Sequence, residues 1–170
     1  MANTRREEGW VLEARALRKK EPKGILFLCV ANSARSQMAE GIARKMAPEG
    51  VKVWSAGSNP TQVRREAKVV LKEVGIDISH HRSKAVTELS QKEVGAVDTV
   101  ITLCEQEVCP VFLGDATRVH WALPDPVAVA VAADENETRA SGDSDEASLA
   151  SFRRTRDELI RRLTVLFGRS

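Results

Sequence analysis

The sequence predicts an α/β fold, a doubly wound four-stranded parallel sheet flanked by helices. Short apolar runs alternate along the chain with segments in which apolar residues recur at helical spacing. The run from Ile25 to Val30 is uninterrupted, which is typical of a parallel strand covered on both faces. In such folds the functional site lies beyond the carboxyl ends of the strands, so the residues that follow each strand are the candidates.

Four strands are predicted. The second follows the break at residues 48–50 and is closed by Gly57, and the third ends directly in Cys104. The fourth leads into a rigid Leu-Pro-Asp-Pro loop that carries Asp125. The predicted strands are residues 25–30, 51–57, 97–103 and 117–121.

The helices are predicted from apolar residues spaced three and four apart. A helix with Met38 and Ile42 on its apolar face follows the first strand, and a second spans residues 64–74 with Gly75 as its stop. A weaker helical pattern covers residues 84–94. The last helix is amphipathic and runs from about residue 146 to the C-terminus.

Two segments are assigned outside this alternation. Residues 1–23 are predicted to form an amphipathic extension with Trp10, Ala14 and Leu17 on one side, and a partner-binding arm is the alternative. Residues 127–147 are Ala-rich and then acidic, which indicates a solvated insertion. The rest of residues 24–170 is predicted to be a single domain.

The composition excludes several classes of protein. A chain of 170 residues with 42% hydrophobic residues supports one ordinary core. It has no run of eighteen apolar residues and no signal-peptide pattern, so we expect a cytoplasmic protein that does not bind membranes. A net charge of +2 without a basic stripe argues against nucleic acid. Three cysteines in such a chain favour redox or metal chemistry over a disulfide framework.

The loop between the first strand and its helix starts at Cys29 and ends at Arg35. A loop in this position directs successive backbone N–H groups at one point, where a helix N-terminus also favours negative charge. Arg35 adds a planar fork that matches two oxygens of a tetrahedral oxyanion. The predicted substrate-binding residues are therefore Val30, Ala31, Asn32, Ser33, Ala34, Arg35 and Ser36.

Cys29 is the candidate nucleophile because the loop amides, the helix and Arg35 all favour its thiolate form. Asn32 tolerates the left-handed conformation that turns a loop inward, and Ser36 is placed to donate its hydroxyl to the sulfur. An inert core cysteine is the alternative reading of Cys29. His80 and His81 have no spaced partner, so no metal site is predicted there.

Residues 28–41, Leu-Cys-Val-Ala-Asn-Ser-Ala-Arg-Ser-Gln-Met-Ala-Glu-Gly, resemble the active-site loop of arsenate reductases built on the low-molecular-weight protein tyrosine phosphatase fold. Residues 54–57, 75–80, 100–104 and 120–126 agree with that family in the same order. The resemblance implies that Cys29 is the nucleophile, Arg35 the anion clamp, Asp125 the general acid, and Cys104 and Cys109 the resolving cysteines.

Two departures from the family accompany this resemblance. Only four residues separate Cys104 from Cys109, fewer than between the resolving cysteines of that family. The family also holds a monovalent cation with residues that include an asparagine, a glutamate and a serine. Here Asn32, Glu40 and Ser55 match, but Arg82 and Lys84 replace its neutral and acidic members. A lysine ammonium can substitute for a cation in such a site.

The resemblance implies reduction of arsenate to arsenite, and the residues are consistent with it. Arsenate has the shape of phosphate, so thiolate attack gives a thiol–arsenic adduct that further thiols reduce. Arsenate is then the substrate, and thioredoxin, a glutaredoxin or a low-molecular-weight thiol is the electron donor. No cofactor is expected.

Two other functions remain open at this stage. A tyrosine phosphatase with the same loop gives no role to Cys104 and Cys109. Moreover, Val127 and Ala128 follow Asp-Pro where related phosphatases carry aromatic residues. A non-catalytic arsenite or metal binder with three thiolates gives no role to Arg35 or Asp125.

Overall fold

The computed structural model describes residues 8–105, 110–112, 114–135 and 141–169. Its four strands are β1 (Gly24–Cys29), β2 (Lys52–Gly57), β3 (Thr99–Thr102) and β4 (Thr117–His120). Its helices are α1 (Gly9–Lys19), α2 (Arg35–Met46), α3 (Arg65–Lys72), α4 (Gln91–Ala96), α5 (Pro126–Glu135) and α6 (Ser141–Phe167).

The sheet confirms the predicted fold class. The strands run parallel in the order β2-β1-β3-β4, so the chain leaves β1 toward β2 on one side and later returns to β3 on the other. This reversal puts the switch point of the sheet at the carboxyl end of β1. Leu28 pairs there with Ala56 of β2 and Thr102 of β3.

Side chains of β1 alternate between two hydrophobic cores, because successive residues of a strand point to opposite faces. Ile25 and Phe27 face the larger core, which α1, α2, α3 and α6 cover. Leu26 and Leu28 face a smaller core that includes Val100 and residues around α4. All six residues of β1 are buried, which accounts for its uninterrupted apolar sequence.

Helix α1 packs along α6. Its residues Ala14 and Leu17 are buried in the larger core. At its first turn the guanidinium of Arg161 lies 4.7 Å from the centre of the Trp10 ring, and that of Arg162 lies 5.3 Å from it. The amphipathic pattern of the N-terminal segment is thus used for packing within the chain.

One local prediction was wrong. Residues 84–94 form a single 3-10 turn (Val86–Glu88) before the short helix α4, whose first turn is capped by Ser90 and Glu93. Residues 127–147, the predicted solvated insertion, contain most of α5, which packs on α6, and α6 begins at Ser141, before the predicted start near residue 146. The pattern of α5 carries no helical signal because it is apolar on all sides.

Within the described ranges, none of the helices combines the length and the apolarity that crossing a membrane requires.

Candidate active site

The loop from Cys29 to Arg35 stands at the switch point, between the last residue of β1 and the first residue of α2. Asn32 has the left-handed backbone conformation that the sequence predicted, with φ of 45°. This residue reverses the direction of the backbone within the loop. Cys29, Asn32 and Arg35 are all buried.

The carbonyl groups of this loop accept hydrogen bonds from residues that lie outside the loop. Val30 O accepts the N–H of Asn59 at 2.9 Å, and Ala31 O accepts the N–H of Thr61 at 3.1 Å. Ser33 O accepts the N–H of Arg64 at 2.9 Å. The segment between β2 and α3 therefore forms an outer wall that holds the loop carbonyls.

The fourth carbonyl, that of Asn32, accepts hydrogen bonds from side chains instead of backbone N–H groups. It accepts the hydroxyl of Ser83 at 2.6 Å and the side-chain amide of Gln37 at 3.2 Å. In a trans peptide the N–H of each residue points opposite to the preceding carbonyl. The N–H groups of residues 31–34 therefore face inward, and among the described residues none of them meets a protein acceptor. Such a concave set of donors binds an oxyanion.

Gly57 allows this loop to pack on the end of β2. A Cβ atom at this position would lie 2.3 Å from Val30 O and 2.9 Å from Asn32 N. Both atoms belong to the backbone of the loop, so no side-chain movement relieves the contact. The position requires glycine because another backbone approaches so closely.

Hydrogen bonds around Asn32 determine how Ser36 is oriented. Lys84 donates its backbone N–H to Asn32 Oδ1 at 3.0 Å, which fixes the orientation of the side-chain amide. Asn32 Nδ2 then donates to the hydroxyl of Ser36 at 2.8 Å, and Ser36 Oγ lies 2.8 Å from Cys29 Sγ. Ser36 accepts this bond from Asn32, which leaves its own hydrogen available for the Cys29 sulfur.

The same amide connects to a buried carboxylate. Asn32 Nδ2 also donates to Ser55 Oγ at 3.0 Å, and Ser55 donates to Glu40 Oε2. Glu40 lies 2.6 Å from the guanidinium of Arg44 and 3.8 Å from the ammonium of Lys84. Burial lowers the pKa of Lys84, while Glu40 opposes that shift. The ammonium thus already supplies a positive charge beside Glu40.

His81 contacts the loop through Gln37. Gln37 Nε2 donates to Asn32 Oδ1 at 2.9 Å and to Arg82 O at 3.0 Å, so its Oε1 must face the other way. That oxygen lies 3.0 Å from His81 Nδ1, which therefore carries the hydrogen. Burial lowers the pKa of His81. Among the described residues, no three His, Cys, Asp or Glu side chains are grouped as a metal site requires.

Arg35 joins the loop to the ends of two other strands. Its Nη1 lies 3.0 Å from Leu123 O and 3.4 Å from Leu103 O. The N–H of Leu103 donates to Leu28 O at 2.9 Å, and Leu123 donates to Leu103 O at 3.2 Å. These bonds place Cys104, the residue after Leu103, on the strand end adjacent to that of Cys29.

The structure describes two of the three residues predicted to act after Cys29, namely Cys104 and Asp125 but not Cys109. Cys104 is buried and disulfide-bonded, whereas Cys29 is a free thiol. Cys109 lies outside the described residues. Asp125 caps α5, because its Oδ1 accepts the N–H of Val127 at 3.1 Å. Its loop is the one that Arg35 holds through Leu123.

Sequence reasoning missed the residues that support the loop from outside. Gln37 and Ser83 hold the Asn32 carbonyl, and residues 59–64 hold the other carbonyls through their backbone N–H groups. Backbone donors leave no signature in the residue types. Gly57 was visible as the end of a strand, and a glycine there is a signal of close backbone approach.

Comparison with known proteins agrees with this geometry. Residues 24–169 match the family model described as low molecular weight phosphotyrosine protein phosphatase. An arsenate reductase of Halalkalibacterium halodurans is 41% identical over 144 residues, which are 83% of this chain and 92% of the relative. The crystal structure of an arsenate reductase from Archaeoglobus fulgidus is 28% identical with a TM-score of 0.63, covering 85% of this chain and 98% of that one.

A third similar protein is a thioredoxin-dependent arsenate reductase of Corynebacterium glutamicum. It is 26% identical with a TM-score of 0.50, covering 89% of this chain and 69% of that one. The family match spans nearly the whole chain and contains the loop, Arg35 and both later strand ends. The chain therefore belongs to the low-molecular-weight phosphotyrosine protein phosphatase family, on the side of that family that includes the arsenate reductases.

Proposed function

We propose that this protein reduces arsenate to arsenite with Cys29, Cys104 and Cys109 acting in sequence. The observation that carries the proposal is that the N–H groups of residues 31–34 meet no acceptor among the described residues, in a loop that follows a free Cys29 thiol contacted by Ser36. A tetrahedral oxyanion fits this arrangement, and Arg35 adds charge. The arsenate reductases among the relatives support arsenate as the substrate.

The first step uses the phosphatase-like part of the site. The Cys29 thiolate attacks arsenic(V), and a hydroxide ligand protonated by Asp125 leaves as water, which gives a sulfur–arsenic bond. Next the Cys104 thiolate attacks Cys29 Sγ. The sulfur–arsenic bond breaks, its electron pair stays on arsenic, and arsenite with arsenic(III) departs from a Cys29–Cys104 disulfide.

The second half restores Cys29. The Cys109 thiolate attacks Cys104, which forms a Cys104–Cys109 disulfide and releases the Cys29 thiolate. A free Cys29 beside a disulfide-bonded Cys104 supports this order, because it is the pairing that this step leaves. An external dithiol then reduces the disulfide in two exchange steps and is itself oxidised. The thioredoxin-dependent relative supports a thioredoxin as that dithiol.

Cysteine variants test the cascade. Cys29→Ser is expected to abolish both arsenate reduction and any hydrolysis of an aryl phosphate, because both reactions begin with the thiolate. Cys104→Ser and Cys109→Ser are expected to stop multiple-turnover reduction and to leave aryl phosphate hydrolysis largely intact. Arsenate-dependent NADPH oxidation, coupled in turn to thioredoxin, glutaredoxin and low-molecular-weight thiol systems, measures the first activity. Sustained thioredoxin-driven turnover by Cys104→Ser would contradict the cascade.

A further inference from the structure

Helix α5 exposes an apolar face directly behind the loop that carries Asp125. The exposed residues among its first seven positions are Ala128, Val129, Val131 and Ala132. At about 100° per residue these four positions cover one continuous arc of about 160° on the helix. Val131 is 54% exposed and Val129 is 36% exposed, so both valines leave much of their surface in water. An exposed helix face is ordinarily polar.

The segment that carries this face contains few charges of its own, although Arg154 and Glu158 of α6 line a cavity beside Val129. Residues 121–133 contain one charged side chain, Asp125, although 29% of the whole chain is charged. Fully buried centres of protein–protein interfaces lack charged residues in the same way. A helix that lies on a membrane surface carries Lys or Arg on its polar side, and α5 contains neither. The composition of the face therefore fits a protein partner.

Hydrogen bonds connect this face to the redox site. Val129 lines a cavity of about 290 Å³ together with Leu123, Pro124 and Pro126. Leu123 donates its N–H to Leu103 O at 3.2 Å, and Cys104 follows Leu103. Later along the chain from that cysteine, Val111 is 74% exposed. The first turns of α5 therefore lie next to the loop that is bonded to the strand end of Cys104.

We propose that the exposed face of α5 is the docking surface for the protein dithiol that reduces this chain. The inference rests on the proposed function, which requires such a donor at Cys104 and Cys109. Only a partner of protein size gains from a helix face several residues wide, because a small thiol reaches a disulfide without it. During exchange, a donor thiolate attacks the disulfide to form a mixed disulfide, and the donor's second thiol then releases it, leaving two thiols here and a disulfide on the donor.

The test measures exchange without arsenate, so that it is independent of reductase activity. Oxidised full-length protein is mixed with reduced thioredoxin or with dithiothreitol, and the second-order rate of disulfide reduction is recorded. Val131→Glu and Ala128→Glu are expected to slow reduction by thioredoxin roughly fivefold or more, as for a contributing interface residue, and to leave reduction by dithiothreitol unchanged. The two variants place a charge at different points of one face, and their melting temperatures show that both fold.

Leu12→Glu is the matched control, because Leu12 is likewise an exposed aliphatic residue, 56% exposed, on a different helix, α1. It is expected to change neither rate. Three outcomes would overturn the proposal. The α5 variants could be reduced more slowly by both reductants, or their rates could stay unchanged. Thioredoxin could also reduce the wild-type protein no faster than dithiothreitol does. The proposal is also overturned if the wild-type protein is a dimer and Val131→Glu dissociates it without changing the exchange rate. The face of α5 would then bind a second copy of the chain. Failure of arsenate reduction in a separate assay concerns the proposed function alone.

Discussion

Asn32 and Ser36 are joined by a 2.8 Å hydrogen bond in which the asparagine amide donates, and the same serine hydroxyl lies 2.8 Å from the Cys29 sulfur. The asparagine amide is itself oriented by the backbone N–H of Lys84. The thiol is thus held by a chain of donors that begins in a loop far away in sequence. The first prediction follows from this relationship.

Asn32→Ala is expected to lower the free energy of unfolding by about 1–3 kcal/mol, because it leaves the N–H of Lys84 buried without its acceptor. Arsenate reduction is expected to fall as well, since Ser36 loses the bond that orients it. Asn59→Ala is the control: Asn59 holds Val30 through its backbone, and a change on its exposed side chain should cost less than about 0.5 kcal/mol. Urea unfolding and steady-state rates measure both. Equal stability of the two variants would contradict the role of the Asn32 side chain.

Gly57→Ala is expected to damage the loop directly. The added Cβ would lie 2.3 Å from Val30 O, so the loop backbone must move, at a cost of about 1–3 kcal/mol. Activity is expected to fall further than stability, because the inward N–H groups lose their common centre. Gly95→Ala in α4 is the matched control: its Cβ would meet no atom within 4 Å, and alanine favours a helix. Thermal unfolding and arsenate turnover are measured for both variants. A fully active Gly57→Ala would contradict the claim that the loop backbone requires glycine at this position.

Lys84 is expected to make the protein indifferent to the choice of monovalent cation. Its ammonium lies 3.8 Å from the buried carboxylate of Glu40, so no added ion is needed there. Potassium and sodium at matched ionic strength should support similar rates and melting temperatures. Lys84→Met should lose about 1 kcal/mol or more, because Glu40 then loses one of the two ion-pair partners described here and keeps Arg44, and Lys84→Arg should lose less. A potassium-specific rise in the wild-type melting temperature would contradict the idea that the Lys84 ammonium takes the place of a monovalent cation.

His81 is expected to make stability depend on pH below neutrality. Burial lowers the pKa of His81 from its ordinary value of 6.5, so the unfolded chain takes up this proton first as the pH falls. Stability therefore decreases between about pH 6.5 and the lower folded pKa. His81→Asn keeps a donor for Gln37 and removes the titration, so its stability should fall less on acidification. Parallel pH profiles for wild type and His81→Asn would exclude His81 as the source.

By itself, the sequence determined the sheet and the position of the loop. The uninterrupted apolar run of β1 and the change to helical spacing after Arg35 are local patterns. Such patterns predict secondary structure because the burial of each element recurs at regular positions along the sequence. The left-handed Asn32 was predictable for the same reason, because few residue types tolerate that conformation. The family resemblance assigned roles to Cys29, Arg35 and Asp125 without any coordinates.

Tertiary structure alone decided what surrounds these residues. Helix α5 could not be predicted because it is apolar on all sides and lacks a period, and it is held by the Asp125 cap and by packing on α6. The supports of the loop come from Gly57, Ser83 and the backbone of residues 59–64, which contact it only after the chain has folded. Backbone hydrogen bonds do not depend on side-chain identity, so no pattern of residue types encodes them.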